Sequence, residues 1–569
     1  MSLVDRLRIA RGEAPADLAL RNAQLVNVIS GEIYKTDVLV ADGVIVALGD
    51  GYDAKNNLDL NGKYLAPGFI DAHVHIESSL CTPPEFARAV LPHGVTTVMT
   101  DPHEIANVLG LEGIRFMLER AKFGPLNIFV MASSCVPATH METSGAVLEA
   151  EDLQGLLNSR WVPGLAEVMN YPGVIYGDEG MLDKLDLFKN VVVDGHCPGL
   201  RGKLLNAYVS AGIQSEHECT TVEEAQEKLR LGMTIFIREG TTTRNLKPLL
   251  PLITAHNHHH ICFCTDDRIP ASLIDEGSID HLVRTAIQSG IDPIMAIRMG
   301  TINTARYFRL HDYGAIAPGK RADMIVFGDI QNLQVEMTFR NGELVAQNGK
   351  MVVDRQPLRE IDLRSTMNIR LDGLDFRIPA AGDTMRVIGY IRDQVVTAHL
   401  TDTPKIVNGE AVVDIERDLL KIAVIERHRA SGNIGKGFIK GFGLKRGAIA
   451  GTIAHDHHNL IVIGADDASM HAAVKAVVEL RGGVVAVDGD TVLASLPLPV
   501  AGLMSEEPVD KVRHDYDAVL AAARSLGCHV LDPLMDMSFM GLEVIPALKL
   551  TDFGLVDVEQ FQQVDLFLS

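Results

Sequence analysis

Between residues 65 and 267 the chain repeats one pattern of hydrophobicity. A short apolar run is followed by a polar cluster, then by a longer stretch whose apolar residues recur three and four apart. The runs are "FIDAHVH", "TTVMTDP", "NIFVMASS", "GLAEVMN", "NVVVDGH", "IQSEHEC", "TIFIREG" and "HICFCTDD". Short, apolar and rich in β-branched residues, they read as buried strands. The stretches "EGIRFMLERAKF", "LRGKLLNAYVSAG", "VEEAQEKLRLG" and "IDHLVRTAIQSG" read as helices between them. Eight such units in about 250 residues predict an α/β protein with a TIM-like (β/α)8 barrel over residues 63–314. An open doubly wound sheet is the alternative on pattern alone.

The flanks are different. "AQLVNVI", "DVLVADG" and "VIVALGDG" lie before the barrel segment, and "ADMIVFGD", "VEMTFRNGELVAQNG" and "KMVVD" lie after it. These matching strand series predict one small β-sandwich domain, built from residues 1–62 and 315–360 and interrupted by the barrel. Residues 365–569 read as a C-terminal α+β domain. Its segment "GNIGKGFIKGFGLKRGAIAG" lacks the G-x-x-x-x-G-K-[ST] phosphate loop, so its glycines read as turn residues.

Polar residues collect where the apolar runs end. His73 and His75 close the first run, Asp101 and His103 the second, Glu167 the fourth, His196 the fifth and His217 the sixth. Arg238 and Glu239 close the seventh, and Asp266 and Asp267 the eighth. In a barrel of this kind the C-terminal strand ends carry the chemistry. Alternate residues of a strand share a face, so Asp71, His73, His75 and Glu77 are expected on one side, and His-x-His delivers two imidazoles about 7 Å apart. A buried polar row needs partners, and a metal ion is the first candidate. His73, His75 and Asp266 would hold one ion and His196 and His217 a second, with Glu167 between them. This nitrogen and oxygen set suits Mn, Fe or Zn and needs no thiolate. "HNHHH" at 256–260 precedes the eighth run and reads as a solvated turn. "HDHHN" at 455–459 reads, on pattern alone, as a polar turn between strands.

Composition narrows the classes. The 569 residues are 47% hydrophobic and 22% charged, which is globular and exceeds one domain. A net charge of −22 leaves no basic surface for nucleic acid. No run of 18 apolar residues suggests a membrane span, and no signal-peptide pattern opens the chain. Seven scattered cysteines without a C-x-x-C pair read as reduced core thiols of a cytoplasmic protein.

The pattern D-x-H-x-H, a bridging acid on strand four, single histidines on five and six and an Asp on eight resembles the amidohydrolase superfamily. More narrowly, "FIDAHVHIESS", "TTVMTDPHEIANVLG", "AEVMN", "DGHCPG", "SEHE", "REGT", "CTDD" and the C-terminal "AHDHHN" resemble the bacterial-type adenine deaminase family. Many superfamily members carry a carbamylated lysine on strand four; here Glu167 stands instead. The other nucleobase deaminases use H-x-E with P-C-x-x-C, and no P-C-x-x-C exists in this chain.

The resemblance implies hydrolytic deamination of adenine to hypoxanthine and ammonia, within purine salvage, through a hydroxide bridging two divalent ions, Mn or Fe favoured over Zn. It implies Asp266 as the proton shuttle to the departing amine and Glu167 as the donor to N1, with Glu77 and Glu239 as alternatives. Asp101, His103, Arg238, Ser78, His455, Asp456 and His457 are expected to bind substrate or support the ligands, the last three by closing the C-terminal domain over the site. A homo-oligomer, a dimer first, is expected. Two rival readings share these residues: a cyclic amide hydrolase of the dihydroorotase or hydantoinase type, and a non-catalytic barrel scaffold.

Overall fold

The computed structural model describes residues 1–122, 124–392 and 394–568. Its centre is a ring of eight parallel strands: β1 (Phe69–Val74), β2 (Val95–Thr100), β3 (Asn127–Val130), β4 (Gly164–Val168), β5 (Val192–Gly195), β6 (Ser215–Glu216), β7 (Thr234–Arg238) and β8 (Ile261–Cys264). Ladders join β1–β2–β3, β4–β5 and β6–β7–β8. Single links complete the circle. Ala132 bridges Leu165 between β3 and β4, and Gln214 N–H donates to Val193 O at 2.9 Å between β5 and β6. Val74 bridges Asp266, whose N–H donates to His73 O at 2.9 Å, so that β8 returns to β1. Every residue of β1, β2, β3, β4, β5 and β8 is buried, as parallel strands covered on both faces require.

The helices fall where the periodicity predicts. Leu111–Ala121, Gly202–Ser210, Val222–Arg230 and Ile279–Gln288 pack their apolar faces outside the strands. Val222–Arg230 shows why the sequence stops and starts there: the Thr221 side chain accepts from Glu224 N–H, acids occupy the first turn, and Lys228 and Arg230 occupy the last.

Strands from both sides of the barrel segment form one nine-stranded sheet. Tyr64–Pro67 is the seam, pairing with Ala16–Asn27 on one side and with Met324–Phe327 on the other. The expected sandwich is thus drawn from a single continuous sheet wrapped on a shared core that includes Leu25, Val40, Met324 and Phe339. The C-terminal region holds an eight-stranded sheet covered by the helix Asp467–Glu479, plus a three-stranded sheet over residues 548–564. Among the described residues no helix is long and apolar enough to cross a membrane.

The glycine-rich segment departs from the turn reading. Gly441, Gly443 and Gly447 do take positive φ between strands. Gly435 and Gly437, however, lie inside the strand Ile434–Lys440, and a Cβ at Gly435 would meet Thr551 O at 1.8 Å. That glycine lets the three-stranded sheet approach the larger one. Gly435→Ala is therefore expected to lower stability by about 1–3 kcal/mol, the usual cost of overpacking. Gly155→Ala, with open space around the new methyl, should stay within about 0.5 kcal/mol. Urea unfolding of both variants measures the contrast.

Candidate active site at the barrel mouth

Glu167, the last residue but one of β4, is 2% exposed and lies among imidazoles from three other strand ends. Its Oε2 is 2.7 Å from His196 Nδ1 and 3.2 Å from His217 Nε2; its Oε1 is 3.3 Å from His75 Nε2 and 3.7 Å from His73 Nε2. Asp266 closes the group, with Oδ1 3.2 Å from His75 Nε2 and 3.9 Å from His73 Nε2. The six residues expected as ligands therefore converge, although residues 73 and 266 are far apart in the chain.

Burial alone would raise the Glu167 carboxyl, but His196 and His217 hold it well below the usual carboxylate range. Asp266 behaves alike: burial works against its charge, and Arg238 and His75 hold it ionised. His73 is driven well below the ordinary imidazole range by burial and by His217. Ionised carboxylates and a neutral imidazole are the forms that bind metal.

The donors fit divalent ions. His75 Nδ1 lies 3.0 Å from the Asp101 carbonyl oxygen, which can only accept, so Nδ1 carries a proton and Nε2 is the nitrogen that would ligate an ion. That Nε2 faces His73 Nε2 at 3.1 Å. Ligand atoms around an ion with bonds of 2.0–2.2 Å are separated by about 3.0–3.5 Å, and the separations here run from 2.7 to 3.9 Å, with those of His75 Nε2 to His73, Glu167 and Asp266 at 3.1–3.3 Å. His73, His75 and Asp266 form one group of mutually close donors, His73, Glu167 and His217 another, and His196, His217 and Glu218 a third.

Several expected residues fall elsewhere. Glu77 is not on the strand face, because β1 ends at Val74 and residues 76–79 form a 3-10 turn. Its Oε1 accepts from Ile105 N–H at 3.3 Å, and burial pushes its carboxyl up to about 7, away from the cavity. Glu239 also misses the cavity, accepting Leu246 N–H at 3.0 Å. Asp71 lies one layer deeper, accepting from Thr265 N–H and Oγ1 at 3.1 and 2.5 Å. Ser78 is a strut, its Oγ 3.0 Å from Glu104 Oε1 and 2.5 Å from Asp267 Oδ1. Asp101 supports rather than lines the site: its Oδ2 is 3.0 Å from His103 Nδ1 and its Oδ1 accepts from Ser133 Oγ.

Others are drawn in. His103 Nδ1 is 3.5 Å from Glu167 Oε1, close enough to share an ion with His75. The 455–459 segment is a turn between strands, as read, but a buried one; His455 and Asp456 line the cavity, with Asp456 Oδ1 3.8 Å from His103 Nε2. His457 turns away from it, toward Glu142 and Glu543. At 256–260 the turn reading holds for His256, His259 and His260, which are exposed, whereas His258 is buried.

The sequence reading missed Glu218, Glu104 and an apolar roof of Phe539, Leu542, Val544 and Ile545, and placed Asp267 at a strand end without a role; all line the same cavity. Arg238 forks onto both oxygens of Glu218 and also pairs with Asp266 Oδ2. The one signal for Glu218 was its place beside His217 in "SEHE". Nothing in the apolar run at 539–545 distinguished it from core.

The family patterns add to this geometry. That of the amidohydrolase family matches residues 64–345, the barrel and its exit, and that of the adenine deaminase C-terminal domain matches residues 394–562. "Adenine deaminase" of Desulfatibacillum aliphaticivorans is 50% identical over 560 residues, covering 98% of each chain. "Adenine deaminase 2" of Carboxydothermus hydrogenoformans is 47% identical over 99% of each, and "Adenine deaminase" of Methanothrix thermoacetophila 47% over 100% of each. The protein belongs to the amidohydrolases, and among them to the adenine deaminase family.

A buried ion pair anchors the segments that present His196 and His217. Lys228 Nζ donates to Cys197 O and Glu224 Oε1, both at 2.8 Å, and lies 3.4 Å from Glu216 Oε2, which accepts Cys197 N–H. Burial works against the Glu216 charge, yet Lys228 brings its carboxyl down to about 2. Lys228→Met would leave that carboxylate buried and unpaired, a loss of about 3–5 kcal/mol. Denaturant unfolding checks this; a loss under about 1 kcal/mol would show the pair to be dispensable.

Proposed function

We propose that this protein is an adenine deaminase, converting adenine and water to hypoxanthine and ammonia. The observation that carries the reading is identity of 47–50% along essentially the whole chain with proteins named for that activity, joined to a mouth where His73, His75, His196, His217, Glu167 and Asp266 converge. His73, His75 and Asp266 would hold one divalent ion and His196 and His217 another, with Glu167 contributing to both; Mn or Fe is the first choice for this donor set and Zn the second. Bound there, such ions supply Lewis acidity that brings the ionisation of water from about 15.7 toward about 7.

The chain's own groups then carry the protons. Deamination forms a C6–O bond and breaks C6–N6, and the ring must gain a proton at N1 while the leaving nitrogen gains another. Asp266 is the acceptor for the proton of the attacking water and its donor to the departing amine, since ammonia leaves more readily than an amide anion. Arg238, paired to Asp266 Oδ2, keeps Oδ1 turned toward the imidazoles. Glu77 and Glu239 lie outside the cavity, and Glu167, the expected donor to N1, is held ionised, so it would deliver there only a proton first taken from the attacking water. Glu218 has both oxygens engaged by the Arg238 fork. The roof of Phe539, Leu542, Val544 and Ile545 suits a flat heteroaromatic ring and excludes water above it.

Seven cysteines, all free and buried, support a reducing, cytoplasmic setting. A homodimer is the assembly we expect, to be read by sedimentation equilibrium.

Protein loaded with Mn or Fe should release ammonia from adenine and leave dihydroorotate and hydantoin unopened; the reverse would move it to the cyclic amide hydrolases. Metal content should be close to two ions at the mouth. The double change His73→Ala, His75→Ala should remove most of that metal and the activity together, whereas a scaffold would show neither binding nor chelator sensitivity. Asp266→Asn should retain more metal than that double variant but lose at least about 100-fold in kcat, the usual worth of a positioned acid–base group. A retained rate would remove Asp266 from proton transfer.

A further inference from the structure

A second cluster of buried donors lies apart from the mouth, where the barrel meets the C-terminal region. Glu142 comes from the segment that leaves β3, His457 from the segment between the strands Ala448–Gly451 and Leu460–Gly464, and Glu543 from the segment after the turn Phe539–Gly541. Their side chains are 1%, 0% and 0% exposed. His457 Nδ1 is 3.5 Å from Glu142 Oε2 and 3.5 Å from Glu543 Oε1.

The hydrogen bonds around the three fix what each can offer. His457 Nε2 faces the Thr139 carbonyl oxygen at 3.3 Å. A carbonyl only accepts, so Nε2 carries a proton, and in the neutral ring Nδ1 presents a lone pair between the two acids. Asn459 Nδ2 donates to Glu142 Oε1 at 2.7 Å, leaving Glu142 Oε2 free, and Thr139 Oγ1 donates to Glu543 Oε1 at 2.5 Å. Among the described residues His457 Nδ1, Glu142 Oε2 and Glu543 Oε2 are buried without a hydrogen-bond partner. Neither carboxylate has a Lys or Arg ion-pair partner among them. The nearby Lys549 instead gives its protons to the carbonyls of Val395 and Phe539. Around His457 Nδ1, then, stand two buried acids whose charge no lysine or arginine among the described residues balances by an ion pair.

We propose that His457 Nδ1, Glu142 and Glu543 hold a divalent transition-metal ion of zinc type, distinct from the centre at the barrel mouth, which fastens the C-terminal region to the barrel. The spacing favours an ion over a direct contact. At 3.5 Å the imidazole is too far for a good hydrogen bond to either acid, but tetrahedral bonds of 2.0–2.2 Å place ligand atoms about 3.4 Å apart. A metal-bound histidine commonly donates its other ring N–H to a carbonyl, and bound carboxylates are themselves hydrogen-bonded, as Thr139 and Asn459 provide here. Burial, and for Glu142 also the neighbouring Glu543, push both carboxyls upward, the penalty a bound cation removes. One nitrogen and two carboxylate oxygens, with a fourth position open, suit zinc.

The test is an anomalous-difference map at the zinc edge from crystals of the full chain loaded with zinc and dialysed free of loose metal. A peak within bonding distance of His457 Nδ1, Glu142 and Glu543 is expected, separately resolved from those beside His73 and His217. Glu543→Gln, by metal analysis, should lower the content by one ion per chain. A map with the mouth filled and nothing at this cluster, or content unchanged in both Glu142→Gln and Glu543→Gln, would mean that the acids share a proton, and would overturn the site. If Glu543→Gln fails to fold, the wild-type map decides alone. Peaks at this cluster with the mouth vacant would uphold it and count against the proposed catalytic centre instead.

Discussion

The Glu167 carboxylate is the constraint on which the rest of the mouth depends. A charged group 2% exposed costs several kcal/mol unless opposite charge and hydrogen bonds surround it, and among the described residues no lysine or arginine pairs with it. Its partners are imidazoles alone, brought from the ends of β1, β5 and β6 and from His103 after β2. Those side chains crowd one another: the rings of His73 and His217 stack at 4.3 Å, and His73 and His75 meet edge to face at 4.7 Å. Beside these carboxylates His75, His196 and His217 are shifted toward their charged forms, positive charge that bound cations would supply in their place, and closure of the ring through Asp266 brings in the remaining negative charge. The arrangement is stable as a set and unfavourable piecemeal.

Function follows from what covers that set. The floor is charged and the roof is apolar, and the roof comes from the C-terminal region, through Phe539, Leu542, Val544 and Ile545, with Asp456 at the polar side. Arg238 links the two sides of the mouth by holding Glu218 and Asp266 at once. An ionised floor under an apolar lid is a site of low effective dielectric, where a positioned carboxylate acts more strongly than in water. The fastening of the C-terminal region at Asn459, Thr143 and Asp552 therefore bears on catalysis as well as on stability.

Much of this was legible in the chain because polar residues interrupt apolar strands only where something receives them. His73, His75, Glu167, His196, His217 and Asp266 each follow such a run, and the eight runs occur in barrel order. What was not legible depends on where strands stop. Glu77 was expected beside His75 because alternation was carried three residues too far; β1 ends at Val74 and the chain turns. Glu218 was overlooked for the converse reason: β6 is only two residues long, so residues 217 and 218 both face the mouth. The roof residues are apolar and remote in sequence, and hydrophobicity alone does not separate a ligand-facing Leu542 from a core leucine. The histidines at 455–457 read as a turn because polar, turn-like residues in a tight link between strands look the same whether water or a carboxylate receives them.

The most direct measurement is the metal content and anomalous map of Glu167→Ala beside wild type, both loaded with Mn. If the carboxylate joins both halves of the mouth, the variant keeps its fold by circular dichroism and loses both ions there. Two ions retained between His73, His75, His196, His217 and Asp266, with deamination of adenine intact, would contradict that account.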